Sequence, residues 1–437
     1  MAMSKFHPNV AAAIVVANMI GTGVFTSLGF QLVDIQSVPV LLALWLVGGL
    51  AAFCGAMSYA EISTVLPRSG GEYHFLTEIY HPIAGFTSGW VSVTVGFAAP
   101  TALAAMTFGS YLSAVFPQLS SLWLATGLIV VLALMHSRSH HQSGGTQSVF
   151  TVLKLLLILG FSVTALALAS PAHTVSVLPA DGDGALLLSG SFAVSLIYVN
   201  YAYSGWNAAT YISGELQEVQ RSLPRVLMVS TSIVAAAYLA LNYVFLAVAP
   251  MEAMVGKVEV GYVAAQYAFG EVGATVMGML MSLLLVSTVS AMILAGPRVL
   301  QRVGEDFVLF RALAVCNSDG IPARAVMTQS LIALIFLWTA SFDQVLVFSG
   351  ATMALNTFFT VLGLFILRRR GATREGAFRV RWYPLPPLIF LSITGWTFLY
   401  IVKQRPSEAI VCAAIVVSGM GFYWLSRVLS KHMGHRP

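Results

Sequence analysis

Two short stretches of this 437-residue chain place polar, glycine-rich backbone inside apolar surroundings. One is "IGTGVF" (20–25), where Gly21 and Gly23 bracket Thr22. The other is "AYSGWN" (202–207), where Ser204 and Gly205 interrupt an apolar run. Glycine costs about 1 kcal/mol relative to alanine in a helix interior and permits backbone shapes a helix excludes. If both helices break here, amides freed after Ile20, with the start of the next half-helix behind them, form a site for an anion such as a carboxylate. Carbonyls freed in the second stretch accept hydrogen bonds from an ammonium group. A zwitterion with both groups on one carbon fits between them. The competing reading is that such glycines only let helices pack closely, as in small-xxx-small contacts. Freed backbone groups are costly in hydrocarbon unless they line a cavity, and two interruptions at matching positions weigh towards the cavity.

Lys154, in "FTVLKLLLILGF" (150–161), is the third notable group. A lysine at the centre of a membrane span costs a few kcal/mol, faces the interior as a rule, and marks function. Snorkelling to the interface is the alternative, and the depth of Lys154 argues against it. Other chemistry is missing. Cys54, Cys316 and Cys412 are far apart with no CxxC, which is neither a disulfide framework nor a zinc site. His136, His140 and His141 cluster without acidic or cysteine neighbours, so a solvated loop is expected and no metal or cofactor. A membrane enzyme such as an acyltransferase would need a nucleophile with its base, or a His/Asp pair, at membrane depth. None is evident, so no catalytic residue is assigned. A channel would build its pore from repeats or rings.

The elements that position these groups follow from composition. The chain is 58% hydrophobic and 9% charged, with a mean hydropathy of +0.83. Soluble domains carry about a quarter charged residues. A span needs about 20 apolar residues. Twelve candidates lie near 10–33, 39–66, 80–115, 121–138, 146–169, 189–213, 223–249, 271–297, 323–341, 343–367, 384–402 and 407–427. A short helix over 261–269 is expected to lie across one face. The first span reads as uncleaved, because Asn18 and Gly21 interrupt it and no small-residue cleavage site follows. With the N-terminus cytoplasmic, 18 Lys and Arg fall in inside segments and 3 outside (Lys257, Lys403, Arg405). That bias supports twelve spans with both termini cytoplasmic. Lys154 is the one left over, mid-span. The two interrupted helices, the first and the sixth, each open a block of five. Five is odd, so the second block is inverted, and matching breaks in inverted halves point to a transporter's binding site.

The chain resembles the amino acid–polyamine–organocation (APC) superfamily, and within it the L-type amino acid transporters. "IGTGVF" (20–25), "YAEISTVLPRSGGEY" (59–73), "YAYSGWNAATYISGE" (201–215), "LPRVL" (223–227) and "AMILAGPRVL" (291–300) carry the resemblance, in order over nearly the whole chain. It implies an all-α integral membrane protein of the leucine-transporter type, a single permease domain over 1–437. Its 5+5 inverted repeats would span 10–169 and 189–367, with peripheral helices over 384–427. By resemblance the substrate carboxylate binds the backbone of Ile20, Gly21, Thr22 and Gly23. The amino group binds at Tyr201, Ala202 and Ser204. Tyr201 stands where family members carry an aromatic gate, usually Phe in L-type members. Trp206 reads as packing. Lys154 aligns with a helix 5 lysine that replaces a sodium ion, with Ser287 and Thr288 near that place. This implies sodium-independent transport of neutral L-amino acids, as an exchanger, with proton symport left open. No acidic residue is expected beside the pocket, since Asp34, Glu61, Asp343 and Glu215 read as lying towards span ends. Arg68 to Glu72 read as structural parts of an inside loop. Eukaryotic L-type light chains carry a cysteine between helices 3 and 4 that links a heavy subunit; "FPQLSS" (116–121) has none, so no such partner is expected. Expected surroundings are lipid, not nucleic acid, in a bacterial inner (cell) membrane.

Overall fold

The structure, a computed structural model, describes residues 7–138, 144–168 and 176–432. His140 and His141 lie outside these residues. Among the described residues the chain is helical throughout, with no strand. Nine helical stretches among the described residues are long and apolar enough to cross a membrane. Two shorter apolar helices, Val152–Leu168 and Ala323–Thr339, fall at expected spans.

The expected first span is split into α1 (Pro8–Met19) and α2 (Gly23–Asp34). Next come α3 (Val38–Val65) and the short α4 (Gly71–Ile79). The long third segment consists of α5 (Pro82–Val91) and α6 (Ala99–Val115), joined by a π-helical Ser92–Ala98. Pro100 explains the widened turns: it has no N–H for the ladder, and its ring crowds the preceding turn. α7 (Ser121–Arg138), α8 (Gly144–Leu168) and the short α9 (Asp183–Leu187) follow. α10 (Gly190–Tyr203) stops after 14 residues, then α11 (Val219–Val248) and α12 (Met251–Met254) follow. α13 (Val260–Asp306) contains both the expected short helix and the expected eighth span, with Gly270 (φ 70°, ψ −165°) as the bend between them. The chain ends with α14 (Ala323–Thr339), α15 (Phe342–Arg369), α16 (Leu385–Gln404) and α17 (Pro406–His432).

α8 shows how the surface is organised. Val152, Leu156, Leu159 and Val163 are exposed, while Lys154, Ile158, Phe161 and Ala165 are buried. Both sets follow helical spacing. The outward face is apolar and the lysine belongs to the inward face, the reverse of a water-soluble helix and the arrangement a bilayer demands. α8 packs on α1, α11 and α13.

α15 is 28 residues long, about 40 Å at 1.5 Å per residue, and a charge cluster marks each end. At its start Asp343 accepts from Tyr198 Oη and from Arg405 at 2.8 Å. At its end Arg368 grips Glu61 of α3 through Nε and Nη2, both at 2.7 Å.

Candidate substrate site between two helix breaks

The first break is a single tight turn. α1 ends at Ile20 (φ −77°, ψ 79°), and Gly21 N donates back to Met19 O at 2.8 Å. Those angles and that two-residue bond make an inverse γ-turn. α2 then restarts at Gly23 with no side-chain cap. Among the described residues no backbone acceptor reaches the amides of Thr22, Gly23 or Val24. Three open N–H groups at a helix start can accept an anion, by geometry and by dipole.

The second break begins at Ser204, which leaves the helix at φ −55°, ψ 147°. Gly205 takes φ +97°, a left-handed conformation that glycine adopts without strain. The chain continues as a 3₁₀ stretch, Ala208–Glu215. Ser204 N donates to Tyr201 O at 3.0 Å. Ala202 O accepts from Tyr238 Oη at 3.2 Å. No backbone donor reaches the carbonyls of Tyr203 and Ser204 among the described residues. The acceptors open to an ammonium are therefore those at Tyr203 and Ser204, while the oxygens of Tyr201 and Ala202 each hold one bond and keep a second lone pair.

Two glycines press the breaks together. A Cβ on Gly23 would lie 2.6 Å from Ala202 Cα, and one on Gly205 would lie 2.8 Å from the Asn18 carbonyl carbon. Gly21 is different: a Cβ there meets nothing nearer than Met19 O at 4.0 Å. So Gly23 and Gly205 serve backbone contact, and Gly21 faces open space.

That space is a cavity of about 230 Å³. Gly21, Thr22, Gly23, Tyr201, Ala202, Ser204 and Thr288 all line it. Ile20, Lys154 and Ser287 are not among its lining; all three are buried. Among the described residues Lys154 makes no ion pair. Thr288 directs its hydroxyl to Leu284 O at 3.1 Å. Trp206 is buried edge-on to Tyr59 at 4.7 Å between ring centroids, and it also borders the cavity.

Two residues escaped sequence reasoning. Tyr238 of α11 is fully buried, and its hydroxyl lies 2.5 Å from Met19 O and 3.2 Å from Ala202 O. One phenol thus ties the end of α1 to the end of α10. No motif flags a tyrosine among the apolar residues of a span. Tyr238→Phe is expected to keep the fold and raise the substrate Kd by up to about tenfold, the worth of one net hydrogen bond. Binding measured on the purified variant checks it.

Glu72 corrects an expectation. No acidic residue was expected beside the pocket, yet Glu72 lines the cavity and is 1% exposed. α4 carries it there, from the loop that read as purely structural. Tyr59 Oη donates to its Oε1 at 2.9 Å, Tyr211 Oη to its Oε2 at 2.6 Å, and Asn207 Nδ2 also to Oε1. Three donors make a buried carboxylate tolerable without a cation. They also tie α3 and α4 to the segment after the second break.

Comparison with known proteins identifies the family. The sequence model of the amino acid permease family matches residues 10–421. The chain is similar to b(0,+)-type amino acid transporter 1 of Homo sapiens, 26% identical over 427 residues, covering 94% of this chain and 86% of the relative. It is similar to large neutral amino acids transporter small subunit 2 of Mus musculus, 27% identical over 444 residues, covering 98% and 81%. It is similar to Asc-type amino acid transporter 1 of Mus musculus, 27% identical over 459 residues, covering 97% and 82%. With its apolar helices and its two facing breaks, the chain belongs to the amino acid permease family of the APC superfamily, as an integral membrane amino acid transporter and not an enzyme.

Proposed function

We propose that the protein is a sodium-independent exchanger of neutral L-amino acids working by alternating access. The observation that carries this is the pairing of the open amides of Thr22 and Gly23 with the carbonyls of Tyr203 and Ser204, four residues that line one cavity. The carboxylate would bind the backbone of residues 20–23, and the ammonium the carbonyls of residues 201–204. The side chain would extend into the rest of the cavity. Glu72 does not argue for a cationic side chain, because Tyr59, Asn207 and Tyr211 already engage both of its oxygens. The names of the relatives support neutral substrates in part: one is named for large neutral amino acids.

The architecture we infer is twelve spans in a single permease domain, the first ten forming two inverted blocks of five. The nine long helices, Val152–Leu168, Ala323–Thr339 and α10 completed across its break make up that number. Breaks opening both blocks support the inversion. Both termini would be cytoplasmic, as the Lys and Arg bias argues, and the membrane would be a bacterial inner membrane. The connection after α6 has no cysteine, which supports activity without a disulfide-linked subunit there. Lys154 would stand in for a sodium ion, beside Ser287 and Thr288.

Tyr201, 7% exposed at the cavity wall, is the proposed gate. Tyr201→Ala is expected to raise KM about tenfold or more, the worth of about 1.4 kcal/mol, because the ring no longer covers the substrate; the deletion also costs about 3 kcal/mol of fold stability, so KM is read on protein shown to be folded. An unchanged KM and rate would remove it from the gate.

The deciding experiment is uptake of radiolabelled leucine and alanine into proteoliposomes, with and without unlabelled amino acid inside. Uptake only into loaded vesicles, indifferent to sodium, is expected. Accumulation in empty vesicles under an imposed proton gradient would overturn exchange in favour of proton symport.

A further inference from the structure

A second cavity, of about 490 Å³, opens at the end of the bundle marked by Glu61 and Arg368, outside the substrate site. It is enclosed by the ends of α3 and α15 and by the connection to α16. Its charged lining is Glu61, Arg368, Arg374 and Arg379. Glu61 is already neutralised: Arg368 holds both its oxygens at 2.7 Å, and Val380 N donates to Oε2 at 2.6 Å. Arg374 and Arg379 are exposed and have no acidic partner among the described residues. Two unopposed guanidiniums therefore face a cavity whose one carboxylate is engaged.

The segment that follows Arg379 in the chain carries exposed apolar and aromatic side chains. Trp382 is 71% exposed and Leu385 is 55% exposed, immediately where α16 starts its passage through the hydrocarbon. Tryptophan favours the headgroup level of a bilayer. Arg381 lies over the Trp382 ring at 5.6 Å. Arg369 and Arg370 add charge on the same connection, and Glu375 is the acidic residue within it.

We propose that this cavity binds the phosphate of an anionic phospholipid headgroup, with Arg374 and Arg379 as its ligands and Trp382 anchoring the following segment at the interface. Guanidinium forks match phosphate oxygens in pairs, and basic pockets between membrane helices take anionic headgroups. A bound headgroup would add to the bonds that hold the connection against α3 now, from Phe378 N to Thr64 Oγ1 and from Val380 N to Glu61 Oε2.

The test is native mass spectrometry of the full-length protein in detergent, titrated with phosphatidylglycerol or phosphatidylcholine. Preferential retention of phosphatidylglycerol is expected. Arg374→Gln/Arg379→Gln should weaken it roughly thirtyfold, from two arginine contributions near the surface. Arg369→Gln/Arg370→Gln removes the same charge from the same connection outside the cavity lining, and should retain most of the lipid. Glycerol 3-phosphate is the competitor. No displacement at millimolar concentration assigns the site to lipid; displacement keeps the phosphate ligand and moves its source to solution. Equal retention of the two lipids, or equal loss in both double variants, would overturn the site.

Discussion

Replacing Gly23 by valine is expected to abolish saturable amino acid binding while leaving a folded, monodisperse protein. The cause is geometric. The position has no room for even one carbon, since a Cβ would lie 2.6 Å from Ala202 Cα and 2.7 Å from Ala202 Cβ. Backbone atoms on both sides cannot swing aside as a flexible side chain can. Overpacking typically costs 1–3 kcal/mol, and here relief can come only by moving α2 away from α10. That movement separates the open amides of residues 22–24 from the carbonyls of residues 203 and 204. A substrate held by both ends would lose one of them, a loss of about a hundredfold or more in affinity. Gly21→Ala is the control. Its Cβ meets only Met19 O, at an unstrained 4.0 Å, and enters the cavity, so folding should be untouched and the effect should grow with substrate size. Ligand-induced thermal stabilisation of the two purified variants measures this. Wild-type affinity in a folded Gly23→Val protein would remove the carboxylate site from the first break.

The contrast between Gly23 and Gly21 shows what the sequence could convey. Both stand in "IGTGVF" and both were legible as helix breakers. Which one holds two backbones together and which one leaves space depends on Ala202, some 180 residues away, and periodicity carries no such information. The apolar segments were legible for a simple reason: the bilayer imposes length and composition on each. Their interruptions were legible because glycine and serine in hydrocarbon contradict that rule. The π-helical Ser92–Ala98 was not, since a seven-residue change of pitch leaves the apolar pattern unbroken.

The same limit governs the polar residues. Glu72 follows two glycines in a polar loop and reads as a structural part of that loop. It is buried because α4 turns it under the second break, where Tyr59, Asn207 and Tyr211 converge from elements far apart in the chain. Tyr238 is apolar in bulk and polar at one atom, so hydropathy hides it. Charges that contradict their surroundings, such as Lys154, announce themselves; polar atoms that arrive as partners of something distant do not.

Lys154 supports the second large prediction. It is 8% exposed on the inward face of α8, opposite a stripe of exposed valine and leucine. An ammonium taken out of water costs several kcal/mol even after relaxation. If Lys154 had only a structural place, an apolar side chain of similar length would serve as well or better, and function would follow stability. If it holds the position of a coupling cation, the two should separate. Lys154→Met is therefore expected to unfold at the same temperature as the parent or higher, while exchange falls about tenfold or more. Lys154→Ala should lose exchange equally and give up some stability to the space it leaves. Exchange rates and melting temperatures of both variants, measured in the same lipid, separate the possibilities. Full exchange in Lys154→Met would end the sodium-replacement role. A parallel fall of stability and exchange in both would make the lysine a packing residue whose ammonium is satisfied within the fold. Restored dependence on sodium in either variant would be the strongest outcome, because only a site that the ammonium had occupied could take up the ion once it is gone.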